Sequence, residues 1–285
     1  MTSFLPLPRS REGFLLPPFQ SFNVDPEKRL KEIQDLDTRE TDILVNAYPK
    51  SGSHWLHEIL CKLLYDEQTT APLPRMEACF LDLLSDITAL TKLPSPRILY
   101  THLPVQYLPR KHLSRGGKTF HMIRDPRDVV VSSYYHYLSV PRFKRYFTRE
   151  WDQHLSNFMS GDFIYGDWFQ YERQYEQFAK TNNVMTLFYE DMKTDEERAT
   201  RKIADYLELP LTQENAARIA RDCGISNVKE RMKTHQTSFM FRKGHVGDWK
   251  NHFSADQEKQ FNLLFQEKMK GSSLAARYSM LNSSL

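Results

Sequence analysis

The sequence predicts an α/β fold in which helices flank both faces of a central parallel sheet. Short apolar runs of strand length recur along the 285 residues, and segments with the apolar spacing of helices lie between them. Strands that alternate with helices are typical of βαβ units, in which neighbouring strands run parallel. No repeat and no Gly/Ser-rich linker interrupts this pattern. We therefore expect a single domain over residues 1–285, with residues 1–20 as a mobile N-terminal arm.

Four runs predict the strands of this sheet. They are rich in apolar, β-branched and aromatic residues, and they lack the strict alternation of a sheet with one face in water. This pattern indicates strands that are buried on both faces. The predicted strands are residues 43–47, 97–101, 118–123 and 184–189.

Helical spacing of apolar residues, capping boxes and stop signals predict four helices. Thr194 and Glu197, and likewise Ser254 and Gln257, have the spacing of a capping box, in which the two residues satisfy first-turn amides reciprocally. Glycines are common just beyond helix ends, since they adopt the left-handed conformation at low cost. The predicted helices are residues 53–65, 194–209, 215–223 and 255–270, the last two ending before Gly224 and Gly271.

Composition excludes several classes of protein. The 39 Lys and Arg residues against 36 Asp and Glu residues give a net charge of only +3, without the basic stripe of a nucleic-acid binder. There is no run of about 20 apolar residues for a membrane span, and prolines and charges interrupt the first 20 residues, unlike a signal peptide. Three widely spaced cysteines predict no disulfide framework. We expect a cytoplasmic protein with no nucleic-acid or membrane partner.

One histidine cluster contains residue types that bind metals. His54, His57 and Glu58 form an H-x-x-H-E string, with Cys61 four residues beyond His57. This order matches neither H-E-x-x-H nor H-x-x-E-H, the arrangements found in helical zinc sites. No second cluster supplies further ligands, so we expect no metal.

The segment after the first predicted strand, residues 48–55 (Y-P-K-S-G-S-H-W), has the parts of a phosphate-binding loop. Ligands of parallel sheets bind at the carboxyl ends of the strands. Gly52 permits close backbone approach, Lys50 supplies a positive charge, and free amides are expected where the helix begins. Lys50 precedes the glycine, which argues against a Walker A loop. A plain strand-to-helix turn with a surface lysine is the alternative.

With this loop, the sequence resembles the cytosolic sulfotransferase family. Its members transfer a sulfonyl group from 3'-phosphoadenosine 5'-phosphosulfate (PAPS) to a hydroxyl or amine and release 3'-phosphoadenosine 5'-phosphate (PAP). The family's opening motif is close to T-Y-P-K-S-G-T-T-W, and four further motifs follow in the family's order. The matching segments are residues 48–55, 101–104 (T-H-L-P), 124–132 (R-D-P-R-D-V-V-V-S), 188–193 (F-Y-E-D-M-K) and 242–250 (R-K-G-H-V-G-D-W-K).

The resemblance implies a P-loop-like phosphosulfate-binding loop after the first strand, with PAPS as the cofactor. PAPS is a polyanion with an adenine ring, so its site needs cations at two separate phosphate positions and a flat aromatic surface. The implied ligands are Lys50, Ser51, Gly52, Ser53 and His54 at the 5' end, Arg124, Ser132, Arg242, Lys243 and Gly244 at the 3'-phosphate, Trp55 and Tyr189 at the adenine, and Ser226 and Phe241 elsewhere along the cofactor.

The same resemblance implies that His102, Lys50 and Ser132 are catalytic. The acceptor must lose a proton as it attacks sulfur, and an imidazole that titrates near about pH 6.5 suits that transfer, so His102 is expected to be the base. Lys50 is expected to stabilise negative charge on the departing phosphate. Because the chain has ten histidines, only its motif and its place after a strand distinguish His102.

Three departures from the family pattern bear on activity. Tyr100 stands two residues before His102, where many members have a lysine, so one positive charge is lost. His54 replaces a threonine: a protonated imidazole would add charge beside the phosphosulfate, whereas a neutral one would remove a hydroxyl donor. The stretch 226–242 is shorter than the loop that covers the site in many relatives, which predicts a more open acceptor pocket.

A segment that pairs two subunits in the family is also altered. In place of K-x-x-x-T-V-x-x-x-E, Lys250 is followed by Ser254, Ala255 and Lys259. The reversed charge at Lys259 should weaken the contact between subunits, so we expect a monomer or a weak homodimer.

The sequence thus predicts sulfonyl transfer from PAPS to a small molecule. A catalytically silent PAPS-binding protein and an ATP-dependent phosphotransferase are the competing interpretations, and the second lacks a Walker B aspartate for Mg²⁺. Large apolar residues near the N-terminal arm are expected to line the acceptor pocket, with ordinary core packing as the alternative for each. These residues are Phe19, Phe80, Tyr137 and Phe143, with Leu83 and Leu84.

Overall fold

A four-stranded parallel sheet lies at the centre of the protein. The computed structural model describes residues 5–65, 75–224, 227–228, 230 and 243–283, with side chains to residue 278. The strands lie in the spatial order β2-β1-β3-β4, and every pair is parallel. This arrangement confirms the predicted fold class, and each predicted strand is present to within one residue at either end. The strands are β1 (Ile43–Ala47), β2 (Ile98–Thr101), β3 (Thr119–Ile123) and β4 (Val184–Phe188).

Both faces of the sheet are covered by helices, as predicted. Successive side chains of a strand point to opposite faces, and in β1 Val45 joins one hydrophobic core while Leu44 joins the other. This explains why β1, β2 and β3, which are buried throughout, are apolar runs. The prediction of burial on both faces is wrong for β4, which lies at the edge of the sheet and has Leu187 as its one buried residue. In the described ranges the helices are α1 (Gln20–Val24), α2 (Pro26–Gln34), α3 (Ser53–Leu64), α4 (Arg110–Ser114), α5 (Pro126–Ser139), α6 (Trp151–Ser160), α7 (Trp168–Phe178), α8 (Tyr189–Thr194), α9 (Glu196–Leu207), α10 (Gln213–Cys223), α11 (Ala255–Lys268) and α12 (Ser273–Ser283).

The two cores have different helices. The first core contains side chains of α3, α9 and α10, and the second contains side chains of α2, α5, α6, α7 and α11. None of the helices in the part of the chain that the structure describes is long and apolar enough to cross a bilayer.

One predicted capping box is confirmed and the other is wrong. Ser254 and Gln257 bond reciprocally at the start of α11. At the second position the chain breaks between α8 and α9, and Asp195 caps α9 by accepting from the amide of Arg198. The hydroxyl of Thr194 instead donates to the carbonyl of Glu190 inside α8. The Asp195 carboxylate, one residue further on, takes the capping role, and a carboxylate is favoured there by the positive end of the helix dipole.

Part of the predicted N-terminal arm packs against the body of the protein. Leu16 is fully buried, Phe19 is nearly so, and the carbonyl of Leu15 accepts a hydrogen bond from the amide of Tyr165. These contacts place residues 15–19 beside the carboxyl ends of the strands. The mobility of residues 1–20 stays a prediction.

Candidate active site

A crevice at the carboxyl ends of β1 and β3 gathers most of the predicted site. The connection after β1 leads toward β2 on one side, and the connection after β3 leads toward β4 on the other. Ligands of parallel sheets bind at such a switch point. The loop containing Lys50 follows β1, Arg124 follows β3, and His102 follows β2 at the same edge.

The loop after β1 has a backbone that few sequences tolerate. Lys50 has φ +72° and Gly52 has φ +112°, both in the left-handed region. A Cβ at position 52 would lie 2.6 Å from Cε of Met122 and 2.9 Å from Cδ2 of Tyr189. Only glycine therefore allows the loop to pass this closely over β3. Ser51 is fully buried, and its hydroxyl has no hydrogen-bond partner among the described residues.

Arg124 connects three of the predicted cofactor segments. Its Nη1 donates to the carbonyl of Lys50 at 3.3 Å, and its Nη2 donates to the carbonyl of His245 at 3.1 Å. Its guanidinium carbon lies 4.3 Å from the ring centroid of Tyr189. Its Nε is buried without a partner in the described part of the protein. One cation thus sits at the meeting point of the loop after β1, the start of α8 and the 243–252 segment.

Trp55 and Tyr189, the predicted adenine contacts, touch each other. Their rings lie 5.5 Å apart, edge to face, and both side chains are buried. The ammonium of Lys193 lies 5.5 Å from the Trp55 ring. Because Arg124 covers one face of Tyr189, this tyrosine also has a packing role. The adenine contact stays a prediction for both residues.

Two aspartates that sequence reasoning missed shape the predicted 3'-phosphate segment. The Asp128 carboxylate accepts from the amides of Gly247 at 2.8 Å and Trp249 at 3.0 Å. Lys243 donates to the carboxylate of Asp248 at 2.8 Å. The Asp128 contacts join the segment to α5, and the Asp248 contact fixes Lys243, one of the predicted phosphate ligands. Of the other predicted 3'-phosphate ligands, Gly244 has φ +72° and Ser132 is half-buried in the second turn of α5. Ser226, Phe241 and Arg242 lie outside the described residues, as does most of the stretch 226–242.

His102 is held in one orientation and tautomer. Its Nδ1 lies 2.6 Å from the carbonyl oxygen of Ala47. A carbonyl only accepts, so Nδ1 carries the hydrogen and the lone pair of the neutral ring is on Nε2. The buried carboxylate of Asp82 accepts from the amide of His102 at 3.0 Å, the hydroxyl of Thr101 at 2.6 Å and the hydroxyl of Tyr165 at 2.7 Å. Asp82 therefore fixes the loop that presents His102, the predicted base.

The electrostatics of the site keep its histidines neutral. Burial, together with the charge of Lys50, lowers the pKa of His102 to about 4. Burial and the same lysine lower the pKa of His54 to about 3. Of the two alternatives for His54, the neutral imidazole is therefore the state at neutral pH. Burial raises the pKa of Asp82 to about 6 against the opposing effect of its hydrogen bonds.

The structure brings the four predicted acceptor residues together beside His102. The Phe80 ring lies 5.0 Å from the His102 ring and 6.1 Å from Phe19. Phe143 lies 6.3 Å from Phe19 and 4.9 Å from Tyr137. Leu83 and Leu84 are half-buried against the same core. Sequence reasoning missed Tyr165, 5.5 Å from His102, and His136, 5.7 Å from Phe143.

Tyr100 lies in the core on the other face of the sheet. It is 1% exposed, and its hydroxyl is 2.6 Å from Nδ1 of His57. Cys61 contacts the same imidazole, with its Sγ 3.5 Å from Nε2. Tyr100, His57 and Cys61 therefore form a packed polar contact inside the first core, beneath the loop rather than in the crevice.

Comparison with known proteins agrees with this geometry. A sulfotransferase domain model matches residues 40–273. The chain is 34% identical to sulfotransferase 6B1 of Danio rerio over 276 residues, covering 94% of this chain and 90% of that protein. It is 32% identical to sulfotransferase 2A1 of Homo sapiens over 254 residues, covering 84% and 88%.

Solved structures give the same result. The chain superposes on mouse sulfotransferase SULT7A1 complexed with PAP with a TM-score of 0.82 and 30% identity, covering 95% of this chain and 98% of that one. Retinol dehydratase, at 20% identity and a TM-score of 0.78, shares the fold. The domain match, the relatives and the arrangement of the crevice establish that this chain belongs to the sulfotransferase family.

Proposed function

We propose that this protein transfers a sulfonyl group from PAPS to a hydroxyl or amine of a small molecule. The observation that carries the proposal is the position of His102. Its Nε2 lone pair is fixed by the bond from Nδ1 to Ala47, and its ring contacts the aromatic cluster of Phe80 and Phe19. A proton acceptor thus stands between an apolar pocket and the loop of Lys50, whose charge lowers its pKa.

The residues at the crevice fit PAPS. The Ser51 hydroxyl and the Arg124 Nε are buried donors without partners among the described residues, and buried donors are costly unless an acceptor meets them. Phosphate oxygens are such acceptors. The loop leads directly into α3, whose first residue is Ser53, and the N-terminus of a helix favours an anion. That mouse SULT7A1 binds PAP supports the same assignment.

In the proposed mechanism, Nε2 of His102 takes the proton from the hydroxyl or amine of the small molecule. Nδ1 keeps its hydrogen and continues to donate it to the carbonyl of Ala47. Bound PAPS supplies the sulfonyl group and the leaving phosphate. Lys50 offers positive charge to the oxygen that gains negative charge, and Ser132 is proposed to donate a hydrogen bond to the 3'-phosphate, which helps to fix the cofactor for transfer. Asp82 fixes the position of the His102 loop by accepting three hydrogen bonds.

We also propose a cytoplasmic location, no metal requirement, and a monomer or weak homodimer. These proposals rest on the sequence: the charge balance, the three spaced cysteines and the altered segment around Lys250. Sedimentation that showed a tight dimer through this segment would contradict the last of them.

Transfer of label from radioactive PAPS to a panel of phenols, alcohols, steroids and amines tests the function. We expect the wild-type chain to label at least one class, and His102→Ala to lose most turnover, about a hundredfold or more, since a positioned base contributes this much. PAP affinity measured by calorimetry should be retained in the variant. Wild-type protein that binds PAP but labels no acceptor would be a silent binder, and equal rates in the variant would refute the role of His102.

A further inference from the structure

A cationic segment borders the proposed acceptor pocket. Residues 140–150 connect α5 to α6 and contain Arg142, Lys144, Arg145 and Arg149, all exposed, against a single acidic residue, Glu150, at the start of α6. Within the described ranges none of the four has a carboxylate in ion-pair contact. For a chain whose net charge is only +3, this is a local excess of positive charge.

The same segment forms part of the pocket wall. Phe143 and Phe147 are buried between the cations, and Phe147 stacks on Tyr137 at 4.1 Å. The inward side chains therefore anchor the segment in the aromatic cluster, and the cations between them are held at its outer edge. The carbonyl of Arg145 also accepts a hydrogen bond from the amide of Leu5.

Arg142 is the cation that reaches the pocket. Its guanidinium carbon lies 5.5 Å from the ring centroid of Phe19. From there the wall continues through Phe80, 6.1 Å from Phe19, to His102, 5.0 Å from Phe80. Two aromatic rings thus separate the guanidinium from the base. Burial and then nearby charges, those of His102 and Arg142 among them, lower the pKa of His136, so both groups lie in its neighbourhood.

We propose that the acceptor of this enzyme carries an anionic group, such as a carboxylate, that binds Arg142 while its hydroxyl reaches His102. This inference rests on the proposed function and names the class of its acceptor. The guanidinium presents a planar fork of donors that matches a carboxylate. The aromatic wall suits an apolar middle portion, and the neighbouring cations raise the local concentration of anions and oppose the binding of amines that are protonated.

Matched acceptor pairs test the proposal. Each pair has the same hydroxyl and spacer and differs only in a distal carboxylate or its primary amide: 3-(4-hydroxyphenyl)propanoate and its amide, and 6-hydroxyhexanoate and its amide. The measured quantity is the ratio of kcat/KM for the acid to that for the amide. We expect a ratio above one for wild type and a fall of about fivefold or more in Arg142→Gln, since a charged hydrogen-bonded pair contributes this much.

Lys144→Gln is the matched control, because it removes the same charge from the same segment without a ring contact in the pocket. We expect its ratio to stay within about twofold of wild type. Equal falls in both variants would mean that only the general field acts, and a wild-type preference for the amides would also overturn the proposal. Calorimetric binding of the acid to the PAP complex gives a second readout. If the wild-type protein neither transferred the sulfonyl group nor bound PAP, the proposed function itself would be rejected.

Discussion

The surroundings of the His102 imidazole keep it unprotonated without nucleotide. Burial disfavours the charged ring, and the nearby Lys50 charge acts in the same direction. When the pKa of a histidine is lower in the folded state than in the unfolded state, the free energy of unfolding decreases as pH falls, because the unfolded chain binds the proton first. The relevant window lies between the ordinary value of about 6.5 and the folded value of about 4. At neutral pH the ring is therefore unprotonated, and its lowered pKa makes it a weaker base in the nucleotide-free protein than an ordinary imidazole.

We expect the ring resonances of His102 to remain at their neutral positions when the nucleotide-free protein is titrated from about pH 7.5 to about pH 5.5. The reason is the pKa of about 4 for this residue. Histidine ring NMR, assigned with His102→Gln, is the measurement. A midpoint near the ordinary value of about 6.5 would show that burial and Lys50 do not act as described.

Gly52 allows a second test at this scale. Gly52→Ala should lower the free energy of unfolding by about 2 kcal/mol or more, since left-handed strain adds to overpacking. It should also weaken PAP binding, because the new Cβ would displace Met122 or Tyr189. Chemical denaturation and calorimetry measure the two effects.

Gly116→Ala is the control for backbone strain alone. Gly116 has φ +66°, but a Cβ there would meet nothing within 4 Å. We expect a loss of about 1 kcal/mol and unchanged PAP affinity, since Gly116 lies near the opposite ends of the strands. If Gly52→Ala and Gly116→Ala had the same free energy of unfolding and the same PAP affinity, the close packing at Gly52 would not be what matters there.

The sequence predicted the site residues that lie in motifs and missed those that support them. Lys50, Arg124 and His102 each follow a strand, so topology alone brings them to one edge. Asp82 lies about twenty residues before His102 in no recognisable motif, and only tertiary folding joins them. Its signal was present as a lone carboxylate in the apolar run 79–84, since a buried acid requires donors around it.

At the scale of elements, α5 and the 243–252 segment form one unit. The Asp128 carboxylate of α5 accepts two amides of the segment, and Arg124, 3.7 Å from that carboxylate, bonds the carbonyl of His245. The predicted 3'-phosphate ligands Lys243 and Gly244 belong to this segment. The position of the segment on α5 should therefore set the affinity for the nucleotide.

We expect Asp128→Ala to raise the Kd for PAP and the KM for PAPS about tenfold, because two amides lose a charged acceptor. The KM for the acceptor should change little. Asp195→Ala is the control: it removes the cap of α9, should cost about 1 kcal/mol of stability, and should leave PAP affinity unchanged. An unchanged Kd in Asp128→Ala would contradict the coupling of α5 to the segment.

Some elements could be predicted and others could not, for a physical reason. The strands are uninterrupted apolar runs between turn residues, so their limits are visible. Helix α5 was not predicted, because consecutive residues such as Val129, Val130 and Val131 are all fully buried. The first turns of this helix are enclosed on every side, so they have no single apolar stripe to reveal the helical period. The break at Asp195 was missed because Thr194 and Glu197 imitate a capping box in sequence alone.

At the scale of the whole molecule, the two ends of the sheet have separate tasks. The carboxyl ends of the strands hold the loop of Lys50 and Gly52, with left-handed backbone and buried donors without partners in the described ranges. At the other end a buried ion pair lies beside a surface pocket lined by Asp42, Gly116 and Lys118. Nε of Arg97 donates to Asp42 at 2.8 Å, its Nη2 donates to the second carboxylate oxygen, and its Nη1 donates to the carbonyl of Leu90. Stability can therefore be altered at one end while the site at the other is retained.

A double-mutant cycle on this pair tests the separation. Arg97→Met and Asp42→Asn should each lower the free energy of unfolding by about 3–5 kcal/mol, because each leaves a buried charge without its partner. The double variant should cost clearly less than the sum, since no unpaired charge remains. Below their unfolding temperatures all three should bind PAP as the wild type does. Additive losses would show that the pair is not coupled, and weakened PAP binding in a folded variant would show that the two ends of the sheet are not independent.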